Sequence, residues 1–438
     1  MYNTSQNYKD KILNDSTQHE LNIYIDGNKI DPNHIVGFSS VLELFNNNEF
    51  CLGCTPEIDI EFEIDKRDLP DTYNEVYIET GIDKEVVPIG YFTIQKPIQD
   101  DEFKVKIKAT DYMKKFEDTK YDGSNLIYPK TMIEVLKDIC KKVGVELGST
   151  SFLNSDKQIA VHDNTVTART YLSYIAEQAG GFAVIGRDGK LYIKTFGQDT
   201  INFDINLFGD FTWGDKFEVS KVSYEDGIQN YKFGNETQAT VFIDQNNMYI
   251  VDSEQVENVY NQIKGFEVYA FEGETIIDPA YDIGDILVID GKKVLFQGEL
   301  EYAGKFKANI KSKIQTKTEQ ESMQTKQSNS NKIKRVQSQI DQAEGKITQL
   351  TQETKEHEEK ITKVEQDVDG IKQTISNKAE YKRNSDGITE VYLEDAEKTD
   401  VLKLEIKGNK TYESNLFPST NLFPSEGMYP NMEGSELL

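Results

Sequence analysis

The sequence is poor in the residues that build disulfide frameworks and metal centres. It has 3 cysteines and 4 histidines among 438 residues. Cys51 and Cys54 form one CxxC pair, Cys140 is the third cysteine, and no second CxxC or HxxxH stands at ligand spacing. Three cysteines cannot make a disulfide framework, and the missing partner motif disfavours a four-ligand zinc site. We interpret the pair as buried thiols in a chain made in a reducing cytoplasm; a redox pair or half a metal site is the alternative.

Positive charge and long apolar runs are scarce as well. The 49 Lys and Arg residues are outnumbered by 76 Asp and Glu, which leaves a net charge of −27. This balance disfavours a nucleic-acid groove, which needs a basic face, and binding to an anionic membrane surface. No apolar run reaches the length of about 18 residues that a membrane-spanning helix needs, and no signal peptide is visible.

Catalytic signatures are also missing. The sequence contains no GxSxG, HExxH, P-loop or GxGxxG motif, and each of these motifs marks a defined reaction or cofactor. Its dense carboxylates alternate with apolar residues, as in residues 57–65, which is typical of the solvated face of a strand. We therefore predict no enzymatic activity, no cofactor and no metal site.

A heptad pattern is the clearest feature that is present. One heptad position holds Ile333, Ile340, Ile347, Thr354, Ile361, Val368 and Ile375. The position three residues later holds Val336, Ala343, Leu350, His357, Val364 and Ile371. This unbroken spacing of three and four indicates the a/d seam of a left-handed coiled coil. Because one helix cannot bury such a narrow stripe on itself, the pattern requires further copies of the chain.

The residue types at the seam indicate how many copies associate. Position a is β-branched throughout, and position d is mixed rather than uniformly Leu. This composition favours more than two strands, and we predict a parallel homotrimer. Thr354 and His357 place polar layers in the seam. They are either a register lock or ion site on the threefold axis, or a tolerated weak spot.

The remaining pattern predicts a mainly β chain with an α/β insert, an α+β fold. Short alternating runs predict two small antiparallel β-barrels, and Thr131 with Glu134 forms a capping box before a helix between them. A second helix is expected at about 168–179, and the turns at 187–190 and 290–291 each predict a β-hairpin. We predict five segments: a first β-barrel at 1–117, an α/β insert at 118–200, a second β-barrel at 201–320, a linker and coiled coil at 321–378, and a β- and proline-rich docking segment at 379–438.

The last segment contains the repeat NLFPST-NLFPSE followed by GMYP. Its large apolar residues are Leu416, Phe417, Leu422, Phe423, Met428 and Tyr429. The neighbouring prolines keep these residues out of helices and central strands. Three copies held together by a coiled coil could bury the apolar groups against one another or a partner. We predict a docking segment for a further protein; the alternative is a disordered tail.

Six stretches carry a family resemblance: YNTSQNYKDKIL, LNIYIDGNKI, GYFTIQKP, FKVKIKATDYMKKFED, ARTYLSYIAEQAGGFAVIGRDGKLYIKTF and DPAYDIGDILVIDGKKVLFQGELEYAG. They resemble the tail-tip hub proteins of bacteriophages, a family that includes baseplate hubs and the N-terminal part of prophage tail endopeptidases (tail-associated lysins). The resemblance covers about residues 1–320 and implies a homotrimeric ring at the virion tail tip, assembled in the host cytoplasm. It also implies contacts with the tail tube, distal tail ring and tape measure proteins, a receptor-binding or fibre protein at the C-terminus, and DNA passing through the lumen.

One departure from the family limits what is carried over. Lysin members have a peptidoglycan-cleaving domain downstream, and no signature of that domain follows here. The enzymatic activity of those members is therefore not assigned to this chain. Two other functions stay open: a receptor-binding or tail-fibre protein, and a tail-associated peptidoglycan hydrolase with an unrecognised active site.

Overall fold

A computed structural model describes most of the first 314 residues and three parts of the remainder. The described residues are 1–314 apart from gaps at 15, 46–48, 71–72, 101, 124–125, 128, 160–165, 198 and 228, then residues 347, 350–369, 379–383 and 389–393. Residues 1–349 form one compact unit and residues 350–438 another.

The described elements are mostly strands. The strands are β1 (Glu20–Ile25), β2 (Asn28–Lys29), β3 (Ile35–Leu42), β4 (Asp59–Asp65), β5 (Glu75–Ile82), β6 (Glu85–Asp100), β7 (Lys104–Asp111), β8 (Lys130–Thr131), β9 (Gln158–Ile159), β10 (Gly181–Ile185), β11 (Leu191–Thr195), β12 (Thr200–Phe203), β13 (Phe208–Glu225), β14 (Asn230–Gly234), β15 (Ala239–Phe242), β16 (Glu267–Ile276), β17 (Ile286–Ile289), β18 (Lys292–Leu295), β19 (Gly298–Tyr302), β20 (Phe306–Ser312), β21 (Ala379–Arg383) and β22 (Thr389–Leu393). The helices are α1 (Gln6–Ile12), α2 (Met113–Asp118), α3 (Met132–Val143), α4 (Ala168–Gln178) and α5 (Ser253–Ile263), together with residues 350–369.

The first unit is built on one sheet of 13 strands in the order β14-β13-β16-β20-β19-β3-β4-β7-β6-β5-β1-β2, with β15 beside β13. The two predicted β-barrels are not observed, because no pairing among the described strands closes either half. Instead β3 pairs with β19, from Phe38 opposite Tyr302 to Leu42 opposite Gly298. Strand alternation determines which side chains face inward, but not which strand lies alongside.

One hydrophobic core supports both halves of this sheet. It contains Ile23 and Phe62 from the early strands together with Phe271 and Phe306 from the late ones, all at most 2% exposed. A second core lies around Phe50, Phe217 and neighbouring residues. The fold is therefore mainly β with a few helices, which confirms the α+β class.

The helices of the insert region form as their local signals predict. The Thr131 N–H donates to the Glu134 carboxylate at 2.9 Å, and the Thr131 side chain accepts from the Glu134 N–H, so the capping box opens α3. Gly144 ends this helix with a φ of 79°, a conformation that glycine adopts without steric cost. The buried residues Met132, Val135, Leu136 and Ile139 of α3 pack in one core with Ala168, Tyr171, Leu172 and Ile175 of α4.

Apolar runs in the sequence also predict short strands at residues 248–250, 391–393 and 401–406. Residues 248 and 249 form a turn instead of a strand, and the Asn247 side chain holds it by accepting the Tyr249 N–H and donating to buried Glu177. Residues 391–393, expected to be a strand, lie in β22, which pairs with β21. The strand expected at residues 401–406 lies outside the described part. None of the described helices has the length and apolar character needed to cross a membrane.

Candidate assembly surfaces

The described part of the heptad region is helical and presents its apolar positions to solvent. Exposed fractions are 61% for Ile347, 61% for Leu350, 57% for Ile361, 60% for Val364 and 43% for Val368. The polar seam residues Thr354 and His357 lie on the same helix and are exposed too. Because residues three and four apart share one helix face, the apolar side chains of the helix at 350–369 form one stripe. The stripe has the chemistry of an association surface.

The other residues predicted to act in assembly lie outside the described part. They are Ile333, Val336, Ile340, Ala343, Ile371 and Ile375 of the seam, and Leu416, Phe417, Leu422, Phe423, Met428 and Tyr429 of the docking segment. The trimer interface and the docking role both stay predictions.

Arg187 joins three parts of the first unit. It lies in the turn between β10 and β11, and its side chain is 15% exposed. Its guanidinium donates to the Asp282 carboxylate at 2.7 Å and to the carbonyl oxygens of Pro88 at 2.6 Å, Pro279 at 2.8 Å and Tyr281 at 2.9 Å. A planar guanidinium can serve four acceptors at once, which a lysine ammonium cannot. Arg187 thus ties the insert hairpin to β6 and to the loop after β16.

Asp282 is the centre of this charge network. Lys194 lies 3.3 Å from its carboxylate, and the amino group of Met1 lies 3.1 Å from it. Burial by itself would raise the pKa of Asp282, but the charges of Arg187, Lys194 and the amino terminus hold that pKa below its ordinary value. The carboxylate is therefore ionised and paired at neutral pH, so the network is a structural clasp.

An open groove of about 510 Å³ lies against this clasp. Its lining includes Tyr2, Tyr77, Tyr91 and Tyr192, beside Pro88, Asp188 and the clasp residues. The rings of Tyr77 and Tyr91 stand 4.7 Å apart, and the Tyr192 hydroxyl donates to Asp188 at 2.9 Å. The three cationic groups of the lining are engaged by carboxylates, so the groove mainly offers aromatic faces and the Asp188 carboxylate. Aromatic faces beside a carboxylate are typical of a binding surface.

The thiols lie in two places. Cys54 and Cys140 are buried and Cys51 is half-buried, and no disulfide joins them. The prediction of buried thiols is thus confirmed for Cys54, whereas Cys51 reaches solvent. Within the described residues, no group of three or more His, Cys, Asp and Glu side chains is arranged to hold a metal ion.

Asp111 is a buried acid that the sequence did not single out. It ends β7, and its Oδ1 accepts the Met113 N–H of α2 at 3.0 Å. Its Oδ2 is buried without a hydrogen-bond partner among the described residues. Burial raises the pKa of the Asp111 carboxyl to about 8, because an apolar environment disfavours the charged form. Asp111 is therefore protonated at neutral pH.

We expect Asp111→Asn to remove a pH dependence from the stability of the first unit. The folded pKa of about 8 exceeds the unfolded value of about 3.9. Protonated Asp111 therefore makes its full contribution to the free energy of unfolding below about pH 4. This contribution is lost as the pH rises towards 8, by up to about 1.4 kcal/mol per pH unit. Asparagine resembles the protonated acid, so the variant should keep its stability over this range. Urea unfolding at pH 5, 6, 7 and 8 measures the difference.

The matched control for this experiment is Asp210→Asn, at an exposed aspartate of β13. Its unfolding free energy should follow that of the unmodified chain at every pH. Glu177 is also buried with a raised pKa, owing first to burial, and it contributes the same slope to all three proteins. If the Asp111→Asn and unmodified curves run parallel from pH 5 to 8, the assignment of Asp111 is wrong.

Sequence patterns could not identify the structural roles of Arg187 and Asp111. Arg187 belongs to the sequence Arg-Asp-Gly-Lys, which predicted only a hairpin turn. Asp111 stands at the end of an alternating strand, where a carboxylate is ordinarily solvated. Their roles depend on Pro88, Asp282 and Ile58, which come from other parts of the chain.

Comparison with known proteins gives matches among solved structures alone. No protein-family model and no curated protein matches the chain. The chain is similar to the 43 kDa tail protein of prophage MuSo2 from Shewanella oneidensis, at 12% identity and a TM-score of 0.45, covering 66% of this chain and 96% of that one. It is similar to the tail protein from Neisseria meningitidis MC58, at 11% identity and a TM-score of 0.43, covering 67% and 95%. It is also similar to the prophage tail protein gp18 from Listeria monocytogenes EGD-e, at 12% identity and a TM-score of 0.42, covering 69% and 97%. These similar structures are tail proteins by their descriptions.

Proposed function

We propose that this chain is a structural protein of a phage tail, a homotrimeric hub at the tail tip whose copies are joined by a coiled coil over residues 333–375. The observation that carries the proposal is the exposed apolar stripe of the helix at 350–369, where Ile361 and Val364 are 57% and 60% exposed. Exposed apolar groups at heptad spacing are buried when identical helices associate. Three copies bury all three stripes along one axis.

The first unit is suited to be the rigid body of such a hub. Its 13-stranded sheet and shared core join strands that are far apart in the sequence, and the Arg187 clasp adds a polar tie. The resemblance of residues 1–320 to tail-tip hub proteins supports contacts of this unit with the tail tube, the distal tail ring and the tape measure protein. In the trimer it adapts the sixfold tube to a threefold tip and opens the channel for DNA ejection.

The proposed role is not enzymatic. An acidic lumen would let DNA pass without binding its phosphates, and the net charge of −27 is consistent with that passage. A tail-associated peptidoglycan hydrolase is the competing function, and incubation of the purified protein with cell walls separates the two. Release of peptides or sugars from the walls would favour the hydrolase; intact walls are the expected result.

Placement in the particle is tested by labelling. We expect antibodies to residues 1–117 to bind beside the tail tube and antibodies to residues 379–438 to bind at the distal end. The reverse order would contradict the proposed orientation and favour a fibre whose first unit lies at the far tip. Label on the shaft or the capsid would contradict the tail-tip location altogether.

The segment at residues 379–438 docks a further tail-tip or receptor-binding protein in this proposal. Cutting the chain after residue 410 removes both NLFPS repeats and leaves the heptads intact. The truncated particles should keep the trimer and lose the distal protein, as judged by the protein composition of purified tails. Particles that retain every distal protein would exclude the docking role.

A further inference from the structure

The loop between β3 and β4 brings the two cysteines of the CxxC motif together. The Sγ atoms of Cys51 and Cys54 lie 3.1 Å apart, and the Cys54 Sγ–H donates to the Cys51 carbonyl at 3.0 Å. A disulfide has an S–S distance of about 2.05 Å. The two sulfurs are therefore about one ångström of side-chain movement away from a covalent bond.

The backbone on both sides of the pair is held by the rest of the unit. The Gly53 N–H donates to the Gly181 carbonyl at 2.8 Å, and the Ser173 hydroxyl donates to the Gly53 carbonyl at 2.7 Å. Gly53 has a φ of 72°, and a Cβ there would lie 2.6 Å from the Ser173 carbonyl oxygen. After the pair, the Ala183 N–H donates to the Cys54 carbonyl at 2.8 Å. The close approach of the sulfurs is thus built into the packing of the loop against α4 and β10.

The two thiols differ in access to solvent. Cys54 is 8% exposed, whereas Cys51 is half-buried. Burial, together with nearby Cys51 and Glu177, raises the pKa of the Cys54 thiol. Because the thiolate is the attacking species, Cys54 is a poor first nucleophile and Cys51 is the thiol that meets a reagent from solution. This division into an outer and an inner thiol suits a two-step exchange.

We propose that Cys51 and Cys54 form an oxidation site that closes to an intramolecular disulfide with a small-molecule disulfide such as oxidised glutathione. The Cys51 thiolate attacks one sulfur of the reagent, forms a mixed disulfide and releases one thiolate. That thiolate takes up the proton of Cys54, whose sulfur attacks the Cys51 Sγ and displaces the second reagent sulfur as a thiolate, which takes up the proton that Cys51 had lost. One reagent disulfide is reduced to two thiols, and two protein thiols are oxidised to one disulfide.

Closure would fix a loop that reaches into the second core. Phe50, next to Cys51, has its ring 4.9 Å from that of Phe196 and 4.8 Å from that of Phe217. A chain assembled in a reducing cytoplasm would carry two thiols, and the same chain in oxidising surroundings would carry a disulfide. The inference is independent of the proposed tail function.

The test uses the full chain and oxidised glutathione, followed by alkylation under denaturing conditions and mass spectrometry. We expect the chain to lose two alkylation sites and to keep that of Cys140, which is 2% exposed and stands apart in another core. The peptide carrying residues 51–54 should be lighter by two hydrogens, and dithiothreitol should restore all three sites. Alkylation of all three cysteines after oxidation would overturn the proposal.

Single substitutions test the order of the two steps. Cys54→Ser should keep glutathione bound to Cys51 as a stable mixed disulfide, because the second attack is lost. Cys51→Ser should take up glutathione at least roughly tenfold more slowly, since the remaining thiol of the pair is buried and protonated. Cys140→Ser should behave like the unmodified chain. Equal uptake by Cys51→Ser and Cys54→Ser, or uptake confined to Cys140, would contradict the assigned roles.

Discussion

A single Ile361→Asp substitution is expected to dissociate the protein into separate chains. Ile361 occupies position a of the heptads and is 57% exposed on the helix at 350–369. In a parallel trimer three copies of this residue meet in one layer. An uncompensated charge in a buried site costs about 3 kcal/mol or more, which is roughly a 100-fold or larger weakening of association. Three aspartates in one layer repel one another as well.

Sedimentation equilibrium over a range of protein concentrations measures this effect. The unmodified chain should have three times the 50.0 kDa mass of one chain, and the variant should have the mass of one chain. Gln366→Asp is the matched control, because it adds the same charge at heptad position f, on the outside of a coiled coil. A stable monomer or dimer for the unmodified chain would refute the trimer, and equal effects of the two aspartates would refute the seam.

The second large effect is expected at the clasp of the first unit. Arg187→Ala should lower its unfolding free energy by about 3–5 kcal/mol, because it removes one partner of a largely buried ion pair and leaves three carbonyl acceptors without their donor. Those acceptors belong to Pro88, Pro279 and Tyr281. Arg187→Lys should lose most of the same stability, since one ammonium cannot reach all four acceptors.

Urea unfolding of the full chain, followed by intrinsic fluorescence, measures the loss as a lower midpoint. Arg67→Ala is the matched control, because the Arg67 side chain is 76% exposed and forms an ion pair with Asp65, two residues earlier in the sequence. An exposed pair of this kind contributes little to stability, because water and salt screen it. If both alanine variants shift the midpoint by the same small amount, Arg187 is not a structural clasp.

Local signals in the sequence predicted many elements with good accuracy. The capping box of Thr131 and Glu134 opens α3, and Asp290-Gly291, with φ values of 49° and 74°, forms the tight turn between β17 and β18. These signals work because a cap or a two-residue turn is decided by atoms a few residues apart. The heptad stripe belongs to the same class, since one helix displays it by itself.

Long-range contacts were beyond such signals. The alternation in β3 and β19 predicted which side chains are buried and which are exposed. It indicated that the two strands belong to separate barrels, whereas in the structure they pair with each other, with Leu42 opposite Gly298. Either arrangement buries the same side chains, so the pattern cannot separate them. The prediction of barrels was wrong for this reason.

The sequence by itself determined the α+β class, the helices and hairpins of the insert region, and the apolar stripe of the helix at 350–369. Only the tertiary structure decided that one sheet runs through both halves of the first unit, that Arg187 clasps three segments, that Asp111 is buried and protonated, and that Cys51 lies 3.1 Å from Cys54. The difference is one of range. Periodicity and helix caps depend on residues that are neighbours in the sequence. The partner of a strand edge or of a buried charge depends on how distant segments of the chain pack together.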